Sequence, residues 1–271
     1  MTQITKSHIR YIRSLSRKKE RDAAGVFVAE GQKCVEMLLP DFEPVMVIAT
    51  EERLPAIQSH VEPRLLYEAT VREIEQMSTL RAPQGVIAVF KQKKQDNRIL
   101  QQYFNNDILL ALDGVQDPGN LGTIIRTADW FGISDIVCST DTADCWNTKV
   151  VQATMGSLAR VRLHYLKLPQ WLNSITSHHD KPPVYGTLLN GKNIYNAHAI
   201  ADRQRGVIIM GNEGNGISEE VRKYITHPIL IPAVPHADNN GSPESLNVST
   251  ATAIILAEFR RNNNDNDKAT F

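Results

Sequence analysis

The chain has 271 residues, of which 42% are apolar and 22% charged, and its acidic and basic side chains balance. This composition is ordinary for a soluble globular protein, and the length suits one large or two ordinary domains. No apolar run approaches the length of about 20 residues that crosses a bilayer, and the first residues lack a secretory signal. Three cysteines without CxxC spacing favour reduced thiols in the cytoplasm, and we expect no metal site.

Basic residues are concentrated near the start of the chain, although the net charge is zero. Seven of them fall within residues 6–21: Lys6, Arg10, Arg13, Arg17, Lys18, Lys19 and Arg21. Isoleucine and leucine residues at helical spacing predict a single helix over residues 5–22, with an apolar side and a basic remainder. Such a stripe is equally typical of a phosphate-binding surface and of a solvated helix face.

Short strands and helices alternate through the first part of the chain. The predicted strands are FVAEG (27–31), PVMVIAT (44–50), RLLYEA (64–69) and GVIAVFKQ (85–92), and the predicted helices are QKCVEMLL (32–39) and VREIEQMS (71–78). This alternation predicts a small α/β domain over residues 1–95, followed by a polar linker at 96–105.

Stronger apolar strands follow the linker. They are predicted at 107–112, 135–139, 159–166, 184–189, 206–211 and 227–232, with helices near 120–131, 147–157, 168–177, 218–225 and 247–261. Near-continuous apolar strands separated by helices predict a buried, mainly parallel sheet. We therefore expect a second α/β domain over residues 106–261, followed by a disordered polar tail at 262–271.

The first of three polar strand-to-helix junctions is DPGNLGTIIRTADWFG (117–132). In a parallel sheet such junctions lie at the carboxyl edge, where ligands bind. Asn120 is predicted to cap the helix, since its side chain can accept from amides of the first turn. Arg126 falls near the second turn, where it is either an exposed helix arginine or a contact to phosphate or substrate.

The second junction, IIMGNEGNGIS (208–218), is rich in glycine, but its pattern disfavours a dinucleotide site. Its glycines do not have the G-x-G-x-x-G spacing, and Glu213 would repel a pyrophosphate. The loop suits either a structural tight turn or a ligand with an adenosine group and a positive charge. S-adenosylmethionine has that character.

The third junction precedes the last helix, within ILIPAVPHADNNGSPESLNVSTATAIILAEF (229–259). Ser245 is predicted to cap this helix, and Asn247 and Ser249 add polar groups at its start. The same residues also fit a capped helix with no chemical role.

Together, DPGNLGTIIRTADWFG, MGNEGNGIS and IP…SLNVSTATAIILAEF resemble, in this order, the motifs of the SpoU (TrmH-like) family of RNA 2′-O-ribose methyltransferases, in the SPOUT superfamily. The resemblance covers roughly residues 106–261. FVAEGQKCVEMLL and RAPQGVIAVF resemble the L30e-like substrate-binding domain of many members. One departure is AVPHADNNGSPE (233–244), a longer loop than many relatives have.

The resemblance implies a parallel α/β sheet with a deep trefoil knot, bound S-adenosylmethionine, and a homodimer in which the partner completes each site. The positions that match the family's catalytic residues are Asn120, Arg126, Glu213, Ser245 and Asn247. Those expected to contact the cofactor are Leu189, Asn190, Gly211, Ile231 and Leu246. The RNA-binding candidates are Arg10, Arg13, Arg17, Lys18 and Arg126.

Arginine stays protonated in proteins, so we expect Arg126 to hold an RNA phosphate and polarise the 2′-hydroxyl. Asn120 would orient Arg126 or the ribose, and Glu213 would brace its loop. The expected substrate is structured ribosomal RNA, 23S in particular, with transfer RNA as the alternative. A non-catalytic RNA-binding factor for ribosome assembly is the alternative from another class, whereas a nucleotide-dependent oxidoreductase is disfavoured by the glycine spacing.

Overall fold

The computed structural model describes residues 2–93, 107–177, 179, 181–196, 199–202, 204–234 and 245–261. It contains two compact units, one comprising Met1–Lys94 with Asp144–Arg160 and the other Gln95–Ala143 with Val161–Phe271. The predicted linker at 96–105 and tail at 262–271 lie outside the described residues. None of the helices that the structure describes combines the length and apolar character needed to cross a bilayer.

The strands and helices follow the predicted alternation along the described chain. The strands are β1 (Thr2–Gln3), β2 (Val26–Glu30), β3 (Pro44–Ala49), β4 (Leu66–Glu68), β5 (Val86–Lys91), β6 (Ile108–Asp113), β7 (Asp135–Ser139), β8 (Arg162–Leu166), β9 (Val184–Asn193), β10 (Gly206–Gly211) and β11 (His227–Leu230). The helices are α1 (Lys6–Ser14), α2 (Lys18–Ala24), α3 (Gln32–Leu38), α4 (Leu54–Ile57), α5 (Val71–Met77), α6 (Pro118–Trp130), α7 (Thr148–Thr154), α8 (Leu168–Thr176), α9 (Glu219–Arg222) and α10 (Val248–Arg260).

The first unit is built on a mixed five-stranded sheet in the order β1-β4-β3-β5-β2. Strand β5 runs antiparallel to both neighbours, β2 and β3, while β4 lies parallel to β1 and β3. Apolar side chains of α1 and α5 pack with those of the sheet in one buried cluster. The prediction of a small N-terminal α/β domain is confirmed.

The prediction of a single helix over residues 5–22 is wrong. Helix α1 ends at Ser14, and Arg17 has an extended backbone before α2 begins. The cause is Arg21, which is only 1% exposed and donates from Nη1 to the carbonyl oxygens of Leu15 and Ser16, both at 2.8 Å. The guanidinium satisfies carbonyl groups that a continuous helix would have bonded, so the chain turns there.

A stretch of chain from beyond β7 completes the first unit. Arg21 donates from Nη2 to the Asp144 carboxylate at 2.6 Å, and the ring of Trp146 stacks on Phe27 with centroids 4.7 Å apart. The segment Asp144–Arg160 thus supplies a buried ion pair and an aromatic contact to this unit.

The second unit contains a six-stranded sheet in the order β11-β9-β10-β6-β7-β8, and every pairing in it is parallel. The predicted parallel sheet is confirmed, while the trefoil knot stays a prediction. Strand β8 begins later than residue 159 because Ser157–Ala159 forms a 3-10 turn. Strands β6 and β10 are neighbours with Gly211 opposite Asp113, so the loops that follow them leave the same sheet edge.

An ion cluster around the buried side chains of Asp135 and His164 lies near the first residues of β7 and β8, at the sheet edge away from the loops that follow β6 and β10. The Asp135 carboxylate accepts from Arg162 Nε at 2.8 Å and Nη2 at 2.6 Å, and it lies 2.8 Å from His164 Nε2. Burial by itself would raise the pKa of Asp135, but the hydrogen bonds from His164 and Arg162 outweigh it and hold this pKa below its ordinary value.

Candidate active site

The loop after β6 prepares the start of α6. Its N-cap is Asp117, whose carboxylate accepts from the Asn120 backbone N–H at 2.8 Å. The prediction that Asn120 caps this helix is therefore wrong. Pro118 has no N–H to satisfy and occupies the first helical position, so the residue before it takes the cap. Asn120 lies in the first turn, where its side-chain amide is available for other contacts.

The loop after β10 is held by Asn212. Its amide nitrogen donates to the Gly114 carbonyl at 2.7 Å, which ties this loop to the one after β6. Its amide oxygen accepts from the backbone N–H groups of Gly214 at 2.9 Å and Asn215 at 3.0 Å. One side chain therefore fixes both the turn and its distance from the neighbouring loop.

Gly211 is buried at the end of β10, where the returning loop passes very close. A methyl group at this position would lie 2.3 Å from the carbonyl carbon of Gly216 and 2.4 Å from the nitrogen of Ile217. Residues Asn212 and Gly216 exchange two backbone hydrogen bonds of 2.9 Å across the turn. The glycine is thus required by the packing of the loop on the strand.

The last helix, α10, is capped by Asn247. Its amide oxygen accepts from the backbone N–H of Ser249 at 2.9 Å and of Thr250 at 3.3 Å. The prediction that Ser245 caps this helix is wrong, because Asn247 directly precedes the first helical residue and reaches the free amides of the first turn. Ser245 is exposed.

Three of the five predicted catalytic residues meet in one hydrogen-bonded chain. Asn247 donates from Nδ2 to Asn120 Oδ1 at 2.9 Å, and Asn120 donates from Nδ2 to Glu213 Oε1 at 2.9 Å. We call these three residues the Asn-Asn-Glu chain. It joins the loops that follow β6 and β10 to the start of α10, although its members are 93 and 127 positions apart in sequence.

Arg126 lies outside this chain. It is exposed, and it follows Asn120 by six residues of α6, which is a rise of about 9 Å and places it on a different side of the helix. The Asn120 amide contacts Glu213 and Asn247 rather than Arg126. Within the described ranges, the guanidinium of Arg126 has no hydrogen-bond or ion-pair partner.

Two of the cofactor candidates, Leu189 and Asn190, lie at an interruption of β9. The pairing of β9 with β11 shifts between Pro228 and Ile229, so residues 187–191 bulge out of the ladder. Leu189 is 84% exposed on this bulge, and Asn190 beside it is also exposed.

The remaining cofactor candidates, Ile231 and Leu246, are apolar and partly exposed. Ile231 follows β11 and is half-buried, and Leu246 precedes α10 with half of its surface exposed. Exposed leucines suit the faces of an adenine ring, and the exposed Glu213 carboxylate suits a sulfonium cation. The chemistry of these groups therefore fits S-adenosylmethionine. No group of three His, Cys, Asp or Glu side chains in the described part of the chain could hold a metal ion.

Sequence reasoning missed three residues that shape the site: Asp113, Asp117 and Asn212. Asp113, at the end of β6, accepts from the Ser218 N–H at 2.7 Å and so anchors the far end of the β10 loop. The Asp-Pro dipeptide signals a helix start and could have revealed Asp117. The contacts of Asp113 and Asn212 span about a hundred positions, and no local signal announces them.

The RNA-binding candidates of the first unit are all exposed but differ in their contacts. Arg17 pairs with Glu20 at 3.3 Å and Lys18 with Asp22 at 2.9 Å. Arg10 and Arg13 have no ion-pair partner among the residues that the structure describes. Their charges are therefore the more available ones.

Models of known protein families match two parts of this chain. Residues 107–257 match the SpoU rRNA Methylase family, and residues 6–88 match the MRM3-like substrate binding domain. The 23S rRNA (guanosine(2553)-2′-O)-methyltransferase RlmP of Bacillus subtilis is 30% identical over 251 residues, which cover 92% of this chain and 94% of that protein.

Solved structures agree along nearly the whole chain. A TrmH-family protein from Porphyromonas gingivalis superposes with a TM-score of 0.82 at 37% identity, covering 96% of this chain and 99% of that one. An AdoMet-bound rRNA methyltransferase from Sinorhizobium meliloti gives 0.80 at 29% identity, with 96% and 97% covered.

The fold and the site define an S-adenosylmethionine-dependent RNA methyltransferase. The chain belongs to the SpoU rRNA methylase family. Its first unit carries the family's substrate-binding domain, which indicates RNA as the partner.

Proposed function

We propose that this enzyme transfers a methyl group to a ribose 2′-oxygen of structured RNA from the large ribosomal subunit. The observation that carries the proposal is the Asn-Asn-Glu chain, which joins the loops that follow β6 and β10 to the start of α10 at the ligand edge of the parallel sheet. The name of the Bacillus subtilis relative, a 23S rRNA guanosine 2′-O-methyltransferase, supports the choice of RNA. We also propose that the protein acts in the cytoplasm, together with that substrate.

The protein has to align the 2′-oxygen and help to remove its proton, because S-adenosylmethionine supplies a methyl group that is already activated. The Asn-Asn-Glu chain fixes Asn120 at the start of α6 and steadies the loop that carries Glu213. The guanidinium of Arg126 holds an RNA phosphate and polarises the hydroxyl. The proton then passes to an RNA oxygen or to water.

We also propose that two copies associate through the face of α6 that bears Arg126. Trp130 follows Arg126 by four residues, so the two side chains share a helix face, and Trp130 is 81% exposed. Tryptophan is enriched among the residues that carry the binding energy of protein interfaces. A second copy covering Trp130 would bring its own groups to Arg126, which explains why Arg126 lies apart from the Asn-Asn-Glu chain.

The reaction is tested with methyl-labelled S-adenosylmethionine and separate pools of unmodified 23S, 16S and transfer RNA, followed by digestion to nucleosides. We expect label on a 2′-O-methylated nucleoside from 23S RNA. Label found only in transfer RNA would show that transfer RNA is the substrate instead of 23S RNA. Label on a base would show that the enzyme does not methylate the ribose. Absence of label from protein that binds both cofactor and RNA would favour the assembly factor.

The roles of Arg126 and Trp130 need variants with matched controls. Arg126→Ala should slow methyl transfer by about a hundredfold or more, as for loss of a charge-stabilising donor, while Arg222→Ala on exposed α9 should not. Trp130→Lys should convert a dimer to a monomer by light scattering, and Val71→Lys, at an exposed apolar site of the first unit, should not. A dimer that survives Trp130→Lys would refute the interface.

A further inference from the structure

A cavity of about 390 Å³ lies within the first unit. Its lining comes from α1, β2, α5 and α7 and includes the buried apolar side chains of Ile12 and Met77. Three ionisable side chains also line it, Arg13, Glu30 and Glu75. The reaction proposed above uses none of these three, so the cavity calls for an explanation of its own.

Glu30 is a fixed acceptor in the cavity, only 2% exposed. Its Oε1 accepts from the Thr79 backbone N–H at 2.9 Å and from the Thr79 hydroxyl at 2.6 Å, and its Oε2 accepts from the Ser78 hydroxyl. An ionised carboxylate offers about four acceptor positions. Three are occupied, and one remains.

Arg13 and Glu75 carry opposite charges, line the same cavity and are both exposed, yet they form no ion pair. Neither charged group has another polar partner among the described residues. Neighbouring side chains of the same unit do pair, as in Lys18 with Asp22 at 2.9 Å. The hydrogen-bonding capacity of Arg13 and Glu75 is therefore unused among the described residues.

The charges of the cavity argue against a phosphate as its occupant. One arginine faces two carboxylates, Glu30 and Glu75, so an anion would meet net repulsion. The lining instead suits a flat, neutral group that has both donors and acceptors at its edges and apolar faces for Ile12 and Met77. Nucleobases have these properties, and proteins recognise unpaired RNA bases by contacts to their faces and hydrogen bonds to their edges.

We propose that the cavity binds an unpaired base of the RNA substrate, with guanine preferred, an inference that rests on the proposed function. Guanine presents O6 and N7 as a pair of acceptors for the planar fork of an arginine, here Arg13. Its N1–H and N2 amino groups form a pair of donors for a carboxylate, here Glu75. Glu30 fixes the floor of the pocket.

The test measures binding of the full-length protein to fluorescent heptauridylates in which the central residue is uridine, guanosine, adenosine or cytidine. We expect about tenfold tighter binding of the guanosine oligonucleotide, the discrimination of one good bidentate contact. Arg13→Lys keeps the charge but loses the fork and should remove most of this preference, as should Glu75→Gln. The matched controls Arg72→Lys and Glu51→Gln, exposed positions of the same unit outside the cavity, should retain it.

Modified bases test the two contacts without relying on the fold of a variant. A central 7-deazaguanosine lacks the N7 acceptor and should weaken binding only while Arg13 is present. Inosine lacks the N2 amino group and should weaken binding only while Glu75 is present. Equal binding of all four oligonucleotides would overturn the proposal. It would also be overturned if Arg13→Ala weakened them all equally and lowered the salt dependence by about one phosphate contact.

The two proposals fail separately. If the protein prefers guanine but methylates no RNA pool, the reaction proposed above is wrong and the base pocket stands. If the protein methylates 23S RNA but shows no base preference, only the pocket is wrong.

Discussion

Gly211→Ala is the substitution whose effect the structure defines most sharply. The added methyl carbon would lie 2.3 Å from the Gly216 carbonyl carbon and 2.4 Å from the Ile217 nitrogen, so the loop must retreat by about 1 Å to reach ordinary contact. Such a shift breaks the two 2.9 Å hydrogen bonds between Asn212 and Gly216. Two lost backbone bonds at about 1 kcal/mol each, with about 1 to 2 kcal/mol of packing strain, give roughly 3 to 4 kcal/mol.

The assay is thermal unfolding combined with calorimetric titration of S-adenosylmethionine. A loss of this size lowers Tm by about 6 to 16 °C for a unit of this length, and cofactor affinity should fall with the displaced loop. Gly214→Ala is the matched control, because a methyl group there meets only the Asn212 side chain, at 3.6 Å. If Gly211→Ala matched Gly214→Ala in both measurements, the reasoning from close packing would be refuted.

Three further predictions concern stability. Asp117→Ala should lower the free energy of unfolding by about 1 kcal/mol, because the α6 cap is lost. Asp117→Asn should keep most of that stabilisation, and urea unfolding measures both variants. Arg21→Met should cost about 3 to 5 kcal/mol, since it strands the largely buried Asp144 carboxylate; a change below about 1 kcal/mol would contradict this role. The folded pKa of Asp135 lies below its unfolded value of about 3.9. Its ionised carboxylate therefore stabilises the fold at pH values above about 3.9, and this contribution is lost as the pH falls through the folded pKa. Arg162→Met should therefore lower the urea midpoint more at about pH 6 than at about pH 2, and an equal loss at both would disprove the linkage.

The sheet of the second unit could be predicted from sequence because each buried strand is a near-continuous apolar run, as in Ile108–Asp113 and Gly206–Gly211. The break between α1 and α2 could not. Local periodicity favours one helix there, and Arg21 finds its carboxylate partner 123 positions away, at Asp144. A side chain with a distant partner overrides a local pattern without leaving a local trace.

The candidate site, like the fold, could be predicted from the sequence only in part. The order of the motifs identified Asn120, Glu213 and Asn247, and the parallel sheet explains why their loops share an edge. Their contacts were not foreseeable, because both asparagines could equally have been read as caps or as ligands of the substrate. Asp117 takes the cap of α6 and releases the Asn120 side chain, whereas Asn247 uses its oxygen as the cap of α10 and its nitrogen for Asn120.

The two-part construction of the first unit has a consequence for how the protein is made and for how it can evolve. Arg21 pairs with Asp144, and Phe27 stacks on Trp146. Both partners are synthesised only after β6 and β7. The unit therefore cannot finish folding before synthesis of the catalytic sheet is under way, unlike a simple N-terminal domain. For the same reason, moving this RNA-recognition module to another enzyme requires the transfer of two separate gene segments.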